Sequence, residues 1–104
     1  MASSFRVKAG LRDGLTTVRA IIHHPMHTGY EVDKKTKKLI PAHFIENVTV
    51  YHGNVIILQC DWGRAISANP YLSFTFTGAR TGDILRINWS DNLGESDSIE
   101  TAIQ

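Results

Sequence analysis

The chain gathers its histidines into one stretch, and these side chains are its most evident candidates for chemistry. All five histidines lie between positions 23 and 52. Within that stretch is a short loop made of His24, Pro25, Met26, His27, Thr28 and Gly29. Imidazole nitrogens and thioether sulfurs are ligands for zinc and copper. The loop therefore predicts either a metal site or a recognition loop shaped by proline and glycine.

The order of residues argues against a metal site. A blue-copper centre needs two histidines, a cysteine thiolate and a weak axial methionine, but no histidine or methionine follows Cys60. Zinc held by His24, His27 and His43 is geometrically conceivable, yet nothing in the sequence specifies a fourth ligand or orienting partners. We therefore predict no metal and no cofactor. The alternative is a metal-binding or redox sandwich that uses His24, Met26 and His27.

No arrangement of residues predicts an enzyme. Cys60 alternates with Leu58 and Trp62 on the apolar side of a predicted strand. A buried cysteine behaves as a small hydrophobe and burial raises its pKa, so we predict a structural thiol. The chain contains neither a Gly-x-Ser-x-Gly elbow nor a phosphate-binding glycine loop. We therefore expect a protein without catalytic residues.

Composition and charge exclude other classes of protein. Eleven basic side chains nearly balance ten acidic ones, whereas a protein that follows nucleic-acid phosphates usually has a clear basic excess. The lysine-rich segment 34–38 is interpreted as a solvated hairpin tip. No run of residues reaches transmembrane length, and no secretory signal is visible at the N-terminus. From the residues alone we expect a soluble cytoplasmic protein.

The hydrophobic pattern predicts strands throughout. Phe5, Val7, Ala9 and Leu11 alternate with polar residues or glycine, and similar short runs recur along the chain, separated by turn signals every 8–12 residues. No window has sustained helical spacing. We therefore predict an all-β, immunoglobulin-like antiparallel β-sandwich of about seven to nine strands, forming a single domain over residues 1–104.

Apolar side chains on the outer side of two predicted strands indicate a partner surface. Val55 and Ile57 lie where a solvated sheet would carry polar residues, and Ile45 and Tyr51 lie on the preceding strand. Antiparallel pairing across the turn at 52–54 brings these four side chains together. We predict that they form an exposed apolar patch that is buried in a complex.

Four motifs in a fixed order carry a resemblance to a known family. HPMHTG is followed by KLIPAHFI, then WG, then NPYLSFTFTGARTGD. Over about Phe5 to Ile103 the chain resembles the SoxZ family. SoxZ proteins are the small subunits of the SoxYZ sulfur-carrier complex of bacterial thiosulfate oxidation.

The resemblance implies a role and a location. In that complex the sulfur intermediate is carried by a cysteine on a glycine-rich arm of SoxY, so the resemblance makes this chain the non-catalytic, non-carrier subunit of a heterodimer. It also implies transient contacts with other Sox enzymes, without nucleic-acid or membrane partners. It implies a periplasmic location reached by co-export with SoxY, which replaces the cytoplasmic expectation. Self-association of the isolated chain stays open.

Overall fold

The structure, a computed structural model, describes residues 4–104, so the first three residues of the predicted domain lie outside it. The described chain folds into seven strands. These are β1 (Phe5–Arg12), β2 (Leu15–Ile22), β3 (Ile45–His52), β4 (Val55–Asp61), β5 (Tyr71–Thr77), β6 (Ile84–Asp91) and β7 (Ser96–Ala102). Residues 4–104 contain no helix that is long and apolar enough to cross a membrane.

The strands form two antiparallel sheets. One has the order β1-β2-β5 and the other the order β4-β3-β6-β7. In immunoglobulin terms these are strands A-B-E and C′-C-F-G. The predicted all-β, immunoglobulin-like sandwich is therefore confirmed, at the lower end of the expected strand number. The lysine-rich hairpin adds no strand of its own, because its arms share only the isolated bridge between Val32 and Leu39.

Period-two alternation places the core between the sheets. On β2, Val18, Ala20 and Ile22 are buried while Arg19 is exposed. The turn before β2 is formed by Asp13 and Gly14, with φ of 52° and 79° at these two residues, as a type I′ hairpin requires. The largest fully buried side chains are Ile22, Ile45, Leu85, Ile87, Ile103, Val18, Val48, Val50 and Thr16.

The two flanks of the sandwich differ. On one flank β1 is joined to the C-terminus, where Leu11 donates its N–H to the carbonyl of Gln104 (2.8 Å) and Gln104 donates to Ala9 (2.9 Å). On the other flank β4 and β5 are the last strands of their sheets, and no further strand of residues 4–104 lies beyond either one. We call this side, made of β4 and β5, the open flank.

Two irregularities interrupt the strand alternation. Between β3 and β4, Val50 pairs with Leu58 but Tyr51 pairs with Ile56, which leaves Ile57 as an extra residue. Between β3 and β6 the register shifts again, at Glu46. Each shift is a β-bulge, which changes the side of the sheet that the following residues face. Both bulges bear directly on the predicted partner patch.

Candidate functional site

Asp91, the last residue of β6, is the hub of the histidine cluster. Its side chain is fully buried, and its Oδ2 accepts hydrogen bonds from Nε2 of His24 (3.0 Å) and Nε2 of His43 (2.8 Å). Its Oδ1 accepts the backbone N–H groups of Leu93 (3.0 Å) and Glu95 (2.9 Å). A carboxylate has about four acceptor positions, so Asp91 is saturated by donors from three separate segments.

The hydrogen bonds hold Asp91 in its ionised form. Desolvation by burial would raise the pKa of this carboxyl group, but the bonds from His24, from the backbone of Glu95, from His43 and from the backbone of Leu93 outweigh it, and the net pKa is lowered. Donors that favour the charged form are the usual reason for such a shift. The cluster is therefore a buried anion stabilised by directed N–H groups.

The proton on His24 can be placed from its neighbours. Its Nδ1 lies 3.1 Å from the backbone nitrogen of Met26, which can only donate. Nδ1 must therefore accept, and the ring proton resides on Nε2, which donates to Asp91. A histidine that binds a metal through Nε2 normally donates its other N–H to a neighbour. If His24 bound a metal through Nε2, its proton would lie on Nδ1 and would face the backbone N–H of Met26. The ring is therefore oriented for hydrogen bonding to Asp91 and not for binding a metal through Nε2.

The structure does not bring together the candidate metal ligands His24, Met26 and His27. Met26 is buried, and its sulfur lies 3.3 Å from the backbone nitrogen of Ile45. The His27 ring lies beside Glu31, at 3.5 Å between Nδ1 and Oε1. Within residues 4–104, the group that can offer ligand atoms within 4.8 Å of one another is instead His24, His43 and Asp91. Asp91 was missed because its sequence context indicated only a turn residue.

The loop 24–29 is a fixed turn that points largely inward. Its backbone is bridged to the return segment, where His27 and His43 exchange hydrogen bonds of 2.6 and 3.0 Å. Gly29 has a φ of 89°, and a Cβ at this position would lie 3.1 Å from that of Ala42. Pro25 is exposed, whereas Thr28 is half-buried. Contact between this loop and a partner remains a prediction, with Pro25 as its most accessible residue.

Two asparagines that the sequence marks only as loop residues tie the loop to its surroundings. Asn69 accepts the His24 N–H on its side chain (3.2 Å) and donates its own N–H to the His24 carbonyl (2.9 Å). The Asn92 side chain accepts the N–H of Phe44 (2.8 Å) and donates to the carbonyl of Ala42 (2.8 Å). These hydrogen bonds therefore fix the segments that meet at the end of the sandwich where β2 and β6 end.

The predicted exposure of Ile45 is wrong. This side chain is completely buried. The register shift at Glu46 lets Ile45 pair with Asp91, whereas Asn47 pairs with Ser90. Residues six apart on a regular strand face the same side, but the bulge at Glu46 changes the phase of alternation, so Ile45 faces the core while Tyr51 does not.

The other three residues of the predicted patch lie at the open flank or beside it, with different exposures. Val55 is 62% exposed. Ile57 is half-buried and packs against the core. Tyr51 is half-buried beneath Arg86, whose guanidinium carbon is 4.4 Å from the ring centroid. Through the bulge at Ile57, Ile56 pairs with Tyr51. The exposed apolar residues here are therefore Val55 and Ile56. The partner role of Tyr51, Val55 and Ile57 stays a prediction.

The open flank leaves apolar side chains half covered. On β5 the inward-facing side chains are Leu72, Phe74 and Phe76, and on β4 and just after it they are Leu58, Cys60 and Trp62; all six pack against the core but remain partly exposed. Their counterparts on the central strands are buried. This partial exposure follows from the position of β4 and β5 at the sheet edges, since no further strand of residues 4–104 lies beyond them to cover these side chains.

The edge of β5 is suited to pairing with another strand. Ile22 donates to the carbonyl of Pro70 (3.0 Å), which fixes the phase of the β2–β5 ladder. Antiparallel partners alternate between bonded and non-bonded pairs, so Leu72, Phe74 and Phe76 bond β2. The backbone groups of Tyr71, Ser73, Thr75 and Thr77 then point toward the free edge. Within β5 there is no charge, proline or bulge, the devices that usually protect an edge.

Cys60 does not have the environment of a reactive thiol. It is half-buried, pairs with Val48 across the β3–β4 ladder and packs against the core. Burial raises the pKa of the Cys60 thiol, and the neighbouring Asp61 carboxylate raises it further. Because the thiolate is the nucleophile, both effects reduce the reactivity of the thiol. The apolar-side position predicted for Cys60 is confirmed, with less complete burial than expected.

Residues 5–102 match the model of one protein family, described as sulphur oxidation protein SoxZ. The chain belongs to the SoxZ family. No curated protein matches it. Membership implies a role in sulfur oxidation. The matched range of this SoxZ chain includes the Asp91 cluster and the whole open flank.

Proposed function

We propose that this SoxZ chain is the non-catalytic subunit that binds a SoxY-like carrier through the free edge of β5. The observation that carries the proposal is the combination found on that strand. Its outward backbone groups have no partner within residues 4–104, and its inward aromatic side chains, Phe74 and Phe76, are half exposed.

Strand addition would satisfy both features at once. A partner strand hydrogen-bonded to β5 gains affinity from main-chain bonds and specificity from side-chain pockets. In constant-type immunoglobulin sheets a fourth strand occupies this position, in the order A-B-E-D. A strand placed there would lie over the open flank opposite β4 and would cover Phe74, Phe76 and Leu58. Full burial of such a side chain contributes about 1.5–3 kcal/mol.

The division of chemistry between the subunits follows from Cys60. Its thiol is internal, half-buried and shifted toward the protonated form, so the proposal assigns the sulfur-bearing cysteine to the partner. The proposal includes a periplasmic location reached by co-export with a signal-bearing SoxY. It also includes transient presentation of the assembled carrier to other Sox enzymes.

The test is co-expression with a SoxY-like partner, using a backbone-selective substitution. The N–H of Thr75 points away from β2, so Thr75→Pro removes an edge donor without breaking a bond of the β2–β5 ladder. Gln59→Pro is the matched control on β4. Gln59 also points its N–H outward, because Trp62 donates to Glu46 (2.9 Å) and sets the phase of that ladder.

We expect both variants alone to melt close to the wild type. Native mass spectrometry should show the heterodimer with the wild type and with Gln59→Pro, but not with Thr75→Pro. An intact heterodimer with Thr75→Pro, or equal loss with both variants, would contradict binding at β5. Absence of any heterodimer with the wild type would contradict the subunit role itself.

A further inference from the structure

The outer surface of the β1-β2-β5 sheet carries an unbalanced charge. Its outward-facing side chains on β1 and β2 include Arg6, Lys8, Arg12 and Arg19, all exposed. The outward side chains of β5 are those of Tyr71, Ser73, Thr75 and Thr77. These strands therefore place four cations and no carboxylate on one surface, which we call the basic face.

The cations of the basic face are not neutralised by the part of the chain that the structure describes. None of the four forms an ion pair with a carboxylate of residues 4–104. Lys8 and Arg19 are direct cross-strand partners, and like charges in that position are destabilising. Four of the chain's 11 basic side chains lie here, so seven others face ten acidic ones over the remainder. The near-neutral total charge therefore conceals an uneven distribution, with positive charge concentrated on the basic face.

Two depressions follow the cations along the sheet. One has a volume of about 410 Å³ and is lined by residues that include Arg6, Lys8, Arg19 and Tyr71. The other has a volume of about 240 Å³ and is lined by Lys8, Gly10, Thr17 and Arg19. Gly10 presents no side chain, and a Cβ there would meet no atom within 4 Å. The depressions thus continue past Lys8 across the middle of β1.

We infer that the basic face binds an extended acidic segment of another protein. Arg6 and Lys8 are two residues apart on β1, so their side chains repeat at about 6.6–6.8 Å. Carboxylates on every second residue of an extended chain repeat at the same distance. Charge complementarity of this kind raises association rates and selects partners more than it adds affinity. The depressions favour a segment that lies along the strands over the flat surface of a bilayer.

This surface is separate from the edge proposed for the carrier partner. Strand addition uses the backbone edge of β5 and the inward aromatic side chains, whereas Arg6, Lys8 and Arg19 project from the outer surface of β1 and β2. Both surfaces are therefore open to occupation at once. The inference goes beyond the proposed function and does not depend on it.

The experiment measures binding of fluorescein-labelled octaglutamate to the full chain by fluorescence anisotropy. It is done at about 10 mM and about 150 mM NaCl, between which the Debye length falls from about 30 Å to about 8 Å. The test variant replaces Arg6, Lys8 and Arg19 by Gln. The matched control replaces Lys34, Lys35 and Lys37 by Gln, which removes the same charge from the exposed hairpin.

We expect salt-sensitive binding that is about tenfold weaker for the basic-face variant, as the loss of three exposed ion pairs implies. The hairpin variant should bind within about threefold of the wild type. Equal weakening in both variants, or no binding by the wild type, would overturn the inference. So would binding to phosphatidylserine vesicles without binding to octaglutamate. Co-purification with SoxY, followed for the same variants, should be unchanged, which separates this result from the test of β5.

Discussion

At the scale of single residues, Asp91 organises one end of the molecule. It joins the end of β2, the return segment before β3 and the β6–β7 turn through His24, His43 and two backbone donors. Removing one partner of such a buried network leaves the others unsatisfied. The cluster is therefore expected to contribute to stability and to the placement of the loop 24–29.

Replacing Asp91 with Asn should destabilise the fold by about 2–3 kcal/mol, because the amide cannot accept from two imidazole N–H groups and two backbone N–H groups. Urea unfolding monitored by Trp fluorescence measures the loss. Asp83→Asn is the control at the opposite end, where the carboxylate pairs with His52 (2.8 Å) and is half-exposed. That change should cost clearly less. Equal losses would contradict the role of Asp91 as the hub.

The pH dependence has a definite sign. The pKa of Asp91 is lowered in the folded state, so its ionised form stabilises the fold at pH values above its ordinary pKa of about 3.9. That stabilisation is lost as pH falls through the folded-state pKa. The difference between the wild type and Asp91→Asn should therefore stay level above about pH 5 and shrink below about pH 4. A difference that grows on acidification would contradict this assignment.

Metal content tests the hydrogen-bonding role of His24. Because His24 Nδ1 accepts the Met26 N–H and Asp91 is already saturated, we expect untagged protein to contain far less than one zinc or copper per chain. Inductively coupled plasma mass spectrometry measures the content, and His24→Ala should leave it unchanged. Near-equimolar metal that disappears in His24→Ala and in His43→Ala would contradict the hydrogen-bonding role and support the redox alternative.

At the scale of strands, the two edges of the open flank differ in protection. β4 has a bulge at Ile57 and ends at the exposed Asp61, and both features discourage pairing with another strand. β5 is regular and uncharged. The difference explains why the proposal assigns the partner strand to β5 rather than to β4, although the exposed Val55 and Ile56 lie on β4.

The same strands show what the sequence could and could not predict. Alternation identified the strands, because the burial of every second residue in a strand is a local property. It misplaced Ile45, because a single bulged residue at Glu46 reverses the side that the next residues face. It also missed Asp91 as the partner of His24, because that contact joins residues far apart in the chain and depends on the β3–β6 register.

At the scale of the whole molecule, the chain is a sandwich with one end fixed by hydrogen bonds, one open flank and one basic face. The central claim is that the free edge of β5 is where a SoxY-like partner adds a strand. Rival surfaces exist on the same chain, above all the hairpin at 31–40, where Val32 and Leu39 are 55% and 63% exposed. A measurement with residue resolution distinguishes between them.

That measurement is amide hydrogen exchange of the chain alone and in complex with SoxY. Ser73 and Thr75 direct their N–H groups to the free edge, so their exchange should be fast in the lone chain and strongly slowed in the complex. Leu72 and Phe74 bond β2 and should be protected in both states. Unchanged exchange at Ser73 and Thr75, with new protection confined to the hairpin at 31–40, would contradict the account.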